Sequence, residues 1–300
     1  MAIKQVRALI NGSWYTLTSS GGGKYTATIT APGRTSYNEP GRYYNVQVEA
    51  TNTAGTVGRA DGSSLNGLRL QVRERVAPVI SILSPSSGAY VTNSKQPVVF
   101  NITDESGGSG VNLASLVVRQ DGTAVASSAI QTSAISGGYS VTYTPAKALS
   151  DGSHTVSINV SDNDGNAAAQ KATTYKVDTV PPTLIITAPE DGLITATAAL
   201  NVTGTTNDAT SSPVTIRIQL NGTDQGAVKV GSGGRWSKVV TLRNGGNTIK
   251  VTATDAAGKT SSVTKTVTLD TSVPEVISAA ITPNPVDAGQ TMVITVEISG

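Results

Sequence analysis

The stretch that decides the fold is TVSINVSDNDG, residues 155–165, because the same phrase occurs three times in the chain. The other copies are NVQVEATNTAG at 45–55 and TIKVTATDAAG at 248–258. Each alternates apolar and polar residues, as a half-buried strand does, and ends in a turn of Asn or Asp with Gly. Similarity that returns at a domain-sized interval indicates a tandem repeat of β-domains.

Composition supports an all-β protein and disfavours several functional classes. The 300 residues include 22 basic and 20 acidic side chains without a basic stripe, so nucleic acid is not an expected partner. No apolar run reaches the roughly 18 to 20 residues of a membrane span, so no membrane insertion is expected. The absence of cysteine excludes disulfides and thiolate metal sites. Turn signals without sustained helical periodicity predict β-sandwiches.

Three Pro-containing junctions, at 75–78, 179–182 and 271–274, predict the domain boundaries. We expect domains at 1–75, 76–178 and 179–270, followed by a two-strand segment at 271–300. In the middle domain seven strands are expected, near 79–83, 97–103, 114–120, 124–130, 138–144, 154–161 and 167–177. This pattern predicts tandem immunoglobulin-like β-sandwiches in an elongated array.

Counting between turns predicts that the first and last segments are complementary. Hairpin turns at Gly12, Gly122 and Gly222 follow strand C of each repeat. The distance from that glycine to the glycine that ends the repeated phrase is 43 residues in the first two repeats and 36 in the third. The first domain is therefore expected to lack its first two strands. Residues 276–281 and 291–298 are expected to be two strands of the missing kind.

The residues DTVPPTLIITAPEDG (178–192), DGSHTVSINVSDNDGNAAAQK (151–171) and NTIKVTATDAAGKT (247–260) resemble bacterial immunoglobulin-like repeats of the Big type. Such repeats occur in tandem on surface adhesins and on tail proteins of phages that infect Gram-positive bacteria. The opening strand, turn and Trp14-Tyr15 also resemble short phage-encoded proteins of this architecture. The resemblance implies the fold and a structural or adhesive role.

His154 is the only histidine, so any Ser-His-Asp or histidine-metal chemistry has to use it. It matches Tyr44 and Asn247 at the start of strand F, where a polar side chain hydrogen-bonds nearby backbone. No phosphate-binding, zinc-protease or nucleophile motif accompanies it. We therefore expect a protein that is not an enzyme, with no catalytic, cofactor-binding or metal residues.

The sequence leaves undecided whether one end of the middle domain is a calcium site. Asp162, Asn163 and Asp164 form its F–G turn, and Asp104 and Glu105 lie in its B–C loop, at the same end of the sandwich. Calcium takes six to eight oxygen ligands of this kind. Against calcium, the equivalent turns 52–55 and 255–258 have fewer carboxylates, and the arginines of the junction 73–75 can pair with these acids instead.

The aromatic residues can be interpreted either as packing residues or as rings that stack on sugars. Tyr25 and Trp236 both follow a Gly-Gly turn, which predicts a packing role in strand E. Trp14 and Tyr15 follow the hairpin turn directly, where they either pack at an edge or stack on a sugar ring.

These features predict a non-enzymatic structural or adhesive virion protein, tail-associated in a phage. Our hypothesis is that residues 274–300 of one subunit complete the first domain of the next, which gives a head-to-tail filament or ring. One alternative is that the first domain is a smaller complete sandwich and the tail docks onto another virion protein. Another is a carbohydrate-binding adhesin at a cell surface, with a host glycan as partner. The opening MAIKQVRALINGSWY lacks a secretory signal, so we expect synthesis in the host cytoplasm and location in the virion.

Overall fold

The computed structural model describes residues 2–299 as strands and turns, with four single-turn 3-10 helices at Pro40–Arg42, Asn66–Leu68, Ser127–Ala129 and Ser232–Gly234. The chain forms two compact units, Met1–Val177 and Asp178–Gly300. Within residues 2–299, no helix has the length and apolar character needed to cross a membrane.

The first domain is built on one five-stranded antiparallel sheet. Its strands are β1 (Ile3–Ile10), β2 (Ser13–Gly21), β3 (Lys24–Thr26), β4 (Tyr44–Asn45), β5 (Gln47–Asn52), β6 (Val57–Ala60) and β7 (Arg69–Leu70). The sheet has the order β3-β2-β1-β5-β6, and β4 and β7 form a separate two-residue ribbon. Asn11 and Gly12 both have positive φ, as the tight β1–β2 hairpin requires.

The second domain is a sandwich of two sheets. Its strands are β8 (Val79–Ser84), β9 (Tyr90–Val91), β10 (Val98–Thr103), β11 (Val111–Gln120), β12 (Thr123–Ala124), β13 (Ile130–Ile135), β14 (Gly138–Tyr143), β15 (Gly152–Asp162) and β16 (Lys171–Val177). The sheets have the orders β13-β14-β10-β8 and β12-β11-β15-β16-β9, and only β9, which pairs with β16, is parallel to its neighbour. The strand expected near 124–130 is divided into β12 and β13, because the turn at Ser127–Ala129 carries the chain from one sheet to the other.

The third domain repeats this arrangement. Its strands are β17 (Thr183–Ala188), β18 (Leu193–Thr195), β19 (Ala199–Asn207), β20 (Thr215–Leu220), β21 (Thr223–Val228), β22 (Arg235–Thr241), β23 (Gly245–Thr254) and β24 (Thr260–Leu269). The sheets are β17-β19-β22 and β18-β24-β23-β20-β21. The prediction of tandem immunoglobulin-like sandwiches is confirmed.

Alternating side chains of the facing sheets form the two cores. In the second domain Phe100, Ile102 and Val141 meet Val156 and Ile158, and all five are fully buried. In the third domain the same layer is formed by Val202, Trp236, Ile218, Ile249 and Val251. Burial of each large apolar side chain contributes about 1.5–3 kcal/mol before the cost in conformational entropy. The sandwiches are therefore stabilised mainly by β-branched side chains.

The remaining strands, β25 (Glu275–Thr282) and β26 (Val293–Ser299), form an antiparallel hairpin that is a sheet of its own. Every residue of both strands is exposed.

Candidate functional site

The C-terminal hairpin, β25–β26, has one apolar face. Ala279 pairs with Val296 and Ile281 pairs with Ile294, so these four side chains point to the same side. On the opposite side Ser278 donates a hydrogen bond to Glu297 at 3.1 Å. The exposed fraction of the apolar face is large: 44% for Ile281, 59% for Ile294 and 47% for Val296. An exposed hairpin with one continuous apolar face is the form of an interaction surface.

The first domain has a matching incompletely covered face, which we call the inner face of its sheet. Val48 pairs with Ala8 and Ala50 pairs with Val6, which places these side chains together. By the register of the turn glycines, Val48 and Ala50 correspond to Ile158 and Val160 of the second domain and to Val251 and Ala253 of the third. Those four are buried, whereas Val48 and Ala50 are partly exposed.

The difference in burial follows from the layers that cover each sheet. In the second and third domains the equivalent positions pack against a facing sheet that includes strands A and B. Among residues 2–75 the structure has only the β4–β7 ribbon besides the main sheet. The inner face therefore has less cover than its equivalents: Val6 and Ala8 are buried there, whereas Val48 and Ala50 are partly exposed.

The acidic residues of the second domain do gather at one end, in a different combination from the one predicted. Carboxylate oxygens of Glu74, Asp104 and Glu105 lie within 4.8 Å of one another. Asp104 Oδ2 accepts a hydrogen bond from the Gly110 amide at 2.7 Å, while Asp104 Oδ1 and Glu74 Oε2 are buried without a partner. Burial and the charges of the neighbouring acids raise the pKa of Asp104, against the effect of the Gly110 bond.

The turn residues of the predicted site, 162–164, form hydrogen bonds with neighbouring segments. Asp162 accepts hydrogen bonds from the backbone and side chain of Asn166, at 2.8 and 2.7 Å, and so closes its own turn. Asp164 Oδ2 accepts from Thr35 Oγ1 and from the Glu74 amide, which ties the first domain to the second. The Asn163 amide group donates to two backbone carbonyls.

The junction 73–75 contributes a carboxylate to this end, not a guanidinium. Glu74 Oε1 accepts a hydrogen bond from the Ser109 amide. Among the ion pairs of residues 2–299, Arg73 and Arg75 form none with the acidic cluster. The alternative in which these arginines pair with the acids is therefore not seen in the described residues, and calcium at this end stays a prediction. Glu74 was missed because the direction of a junction side chain is not encoded in the local pattern.

His154 and its equivalents have the predicted contacts with backbone. His154 Nε2 lies 2.8 Å from the Ser150 carbonyl, the Tyr44 hydroxyl donates to the Arg34 carbonyl at 3.2 Å, and the Asn247 amide donates to the Arg243 carbonyl at 2.7 Å. This prediction is confirmed.

The other ring nitrogen of His154, Nδ1, pairs with Asp121 at 2.7 Å. Burial is the largest single effect and lowers the pKa of His154, but the hydrogen bonds with Asp121 and the Ser150 carbonyl and the charge of Asp121 together outweigh it, so the net shift is upward. With both nitrogens bonded inside the sandwich, the imidazole is a structural group.

The structure agrees with the predicted packing role of Trp236 but not with the predicted position of Tyr25. Trp236 is buried in β22 and packs over Gly204, as expected for a core residue. Tyr25 lies in β3, which pairs with β2 in the sheet that contains strand C, so its predicted equivalence to Trp236 is wrong. The cause is that β3 has no strand B beside it in residues 2–75.

Trp14 and Tyr15 lie on opposite faces of the first sheet. Tyr15 pairs with Ala8 on the inner face and is partly buried. Trp14 is 42% exposed on the outer face, with the Arg7 guanidinium 4.0 Å from its ring centroid. Arg7 also bonds Glu49, and the hydrogen bonds from Arg59 and then Arg7 lower the pKa of Glu49. Trp14 is thus part of a polar outer face.

The fold and the family comparisons define a protein of tandem immunoglobulin-like repeats. Residues 84–179 match the bacterial Ig-like domain family, and residues 182–271 match the family of glucodextranase domain B. Domains of this type are typical of structural or adhesive modules, and the immunoglobulin-like fold is typically non-catalytic. No curated protein matches the sequence.

Among solved structures, the chain is similar to the fibronectin(III)-like modules of Clostridium thermocellum CbhA, with 16% identity and a TM-score of 0.41, over 64% of this chain and 94% of that one. Titin domains A168–A170 match with 14% identity and a TM-score of 0.41, over 87% and 85%. Sidekick-1 immunoglobulin domains 1–5 match with 14% identity and a TM-score of 0.40, over 99% of this chain and 60% of that one.

Proposed function

We propose that this protein is a non-enzymatic structural component that assembles head-to-tail, by donating its C-terminal hairpin to the first domain of a second copy. The observation that carries the proposal is that one chain has two incompletely covered surfaces. One is the exposed apolar face of β25–β26, and the other is the partly exposed inner face around Val48 and Ala50.

The repeat register supports this pairing. The hairpin occupies the place after Pro274 that strands A and B occupy after Pro78 and Pro182. In the second domain, strand B covers the inner sheet with Phe100 and Ile102, both fully buried. Counted from the junction prolines, Val296 and Ile298 are the corresponding apolar positions of β26. Strand donation of this kind supplies a missing layer and satisfies exposed strand edges.

The apolar area is large enough to drive association. Val276, Ile281, Ile294, Val296 and Ile298 are 44–61% exposed. At about 1.5–3 kcal/mol for each fully buried side chain, half of that for five residues is about 4–8 kcal/mol. Docking of the strand edge and the inner-face residues adds to this, while association costs at least about 4 kcal/mol. A concentration-dependent equilibrium is the expected behaviour.

We place this assembly in a phage virion, at the tail. The support is the resemblance of residues 151–171, 178–192 and 247–260 to repeats of phage tail proteins. The test of this location is mass spectrometry of purified virions, in which peptides of this chain are expected at a constant ratio to the major tail protein.

The assembly is tested by comparing the full chain with a variant that lacks residues 274–300. Sedimentation velocity and electron microscopy of the full chain are expected to show filaments or rings that grow with concentration. The shortened variant is expected to be monomeric. Identical monomers for both proteins would exclude strand donation and favour docking of the hairpin onto a different virion protein.

A carbohydrate-binding adhesin is the second candidate. Two observations favour it: the exposed ring of Trp14 and the match of residues 182–271 to a glucodextranase domain. Aromatic rings bind sugars by stacking. Glycan-array binding that is lost in Trp14→Ala, and kept in Tyr15→Phe, would support this function. It predicts no change in oligomeric state.

A further inference from the structure

Three buried aspartates of the third domain converge. Asp178, Asp208 and Asp255 each offer a carboxylate oxygen, and the three oxygens lie within 4.8 Å of one another. The residues are 0%, 9% and 5% exposed. They come from three separate segments: Asp178 precedes β17, Asp208 follows β19, and Asp255 follows β23.

The hydrogen bonds of this cluster leave one carboxylate oxygen unsatisfied. Asp208 Oδ1 accepts from the amides of Thr210 and Ser211 at 2.8 and 2.6 Å. Asp178 accepts from the Val180 amide and from the Ser211 hydroxyl. Asp255 Oδ1 accepts from the Lys259 amide at 2.9 Å, but Asp255 Oδ2 is buried without any partner.

No basic side chain compensates the charge. Within residues 2–299, none of the three aspartates forms an ion pair with Lys, Arg or His. Three carboxylates at this distance repel one another, and burial of an unpaired charge is unfavourable. A cation bound between the carboxylates offsets this repulsion.

The positions of the second domain that are equivalent to these three aspartates also carry acidic residues. Counted from the junction prolines, Pro78 and Pro182, Glu74 corresponds to Asp178 and Asp104 to Asp208. Counted from the turn glycines, Asp162 corresponds to Asp255. In each domain two of these acids belong to one cluster, Glu74 with Asp104 and Asp178 with Asp208. In the third domain the acidic residue of the turn, Asp255, also belongs to the cluster. Its Oδ2 atom is buried without a hydrogen-bond partner.

We infer that Asp178, Asp208 and Asp255 form a calcium site. Calcium accepts carboxylate oxygens in irregular geometry and takes six to eight ligands, so backbone carbonyls and water complete the shell. Magnesium requires octahedral geometry and retains several waters, which a nearly closed cluster accommodates poorly. Calcium here joins the segment before β17 to the loops after β19 and β23, and stiffens that end of the third domain.

The test is calorimetric titration of the full-length protein with calcium chloride, after dialysis against a chelator. Asp255→Asn keeps the acceptor for the Lys259 amide but removes a charge, and it is expected to weaken binding at the third-domain site at least about tenfold. Asp208→Asn serves as a second variant. Asp270→Asn is the matched control, because Asp270 occupies the position equivalent to Asp178 but is exposed, and its carboxylate accepts hydrogen bonds from the amide and hydroxyl of the nearby Ser272.

A second readout compares the melting temperature with and without calcium. In chelator, Asp255→Asn is expected to melt at the same temperature as the parent chain or higher, because a repelling charge is gone. In calcium the order reverses, since only the parent chain is stabilised by the bound ion. Loss of calcium binding in Asp104→Asn alone would assign the ion to the second domain and overturn the inference. Three other results would also overturn the inference. They are calcium binding by Asp255→Asn as tight as that of the parent chain, no calcium binding by the parent chain, and a melting shift with magnesium equal to that with calcium.

Discussion

The paired isoleucines of the C-terminal hairpin provide the sharpest test of strand donation. Ile281 and Ile294 lie opposite each other on the apolar face, and neither is covered in the single chain. Replacing both with alanine removes apolar surface without adding charge. The matched control is Ser278→Ala with Thr295→Ala, which changes two residues of the opposite face.

The size of the effect follows from the exposed area. The exposed fractions, 44% for Ile281 and 59% for Ile294, together equal about one whole isoleucine. Burial of one such side chain contributes about 1.5–3 kcal/mol. At about 1.4 kcal/mol per factor of ten, the double variant is expected to weaken association about 10- to 150-fold.

The assay is sedimentation velocity over a concentration series, which gives the dissociation constant of each variant. Val48→Ala, on the acceptor face, is expected to weaken association as well. Its effect is expected to be smaller in the Ile294→Ala background, because residues in contact are not additive.

Two results would refute the reasoning. One is equal weakening by the apolar-face and polar-face variants, which would mean that the hairpin does not dock through its apolar face. The other is full additivity of Val48→Ala and Ile294→Ala, which would place the two residues in different contacts.

Two further predictions concern the stability of single domains. Against the lowering effect of burial, Asp121 and the Ser150 carbonyl raise the pKa of His154 above 6.5, so these contacts stabilise the second domain fully below about pH 6.5 and less as pH rises through the folded-state pKa. Hydrogen exchange of β15 is expected to accelerate as the pH rises through the folded-state pKa of His154. The double variant His154→Asn, Asp121→Asn copies the neutral Asn pair of the third domain. It is expected to lose this pH dependence. Gly204→Ala places a methyl group against the core tryptophan ring and is expected to cost the third domain about 1–3 kcal/mol in denaturant unfolding, whereas Gly246→Ala, with open space around it, is expected to be close to neutral.

Much of the fold could be predicted because its signals are local. Alternation of apolar residues located β10, β15 and β23, and Asn-Gly or Asp-Gly located the hairpins after β1, β11 and β20. The position of Tyr25 could not be predicted, since its strand partner depends on which strands are present beside it.

The acidic clusters were only partly predictable for a related reason. Asp104 and Glu105 are predictable because the B–C and F–G loops of an immunoglobulin-like sandwich share one end, but Glu74 reaches them from a junction some thirty residues earlier. Asp178, Asp208 and Asp255 are single acids in three separate segments. The available signal was their equivalence to Glu74, Asp104 and Asp162 in the repeat register.

The sequence by itself determined the repeated strand-and-turn phrase, the all-β class, and the equivalence of residues between repeats, because these depend on neighbours along the chain. Only the tertiary structure decided which side chains are covered. It showed that Val48 and Ala50 remain partly exposed where their equivalents are buried, and that Asp255 Oδ2 is buried without a partner. Burial and electrostatic repulsion depend on distances between segments far apart in the chain, and those distances exist only after the sheets have formed.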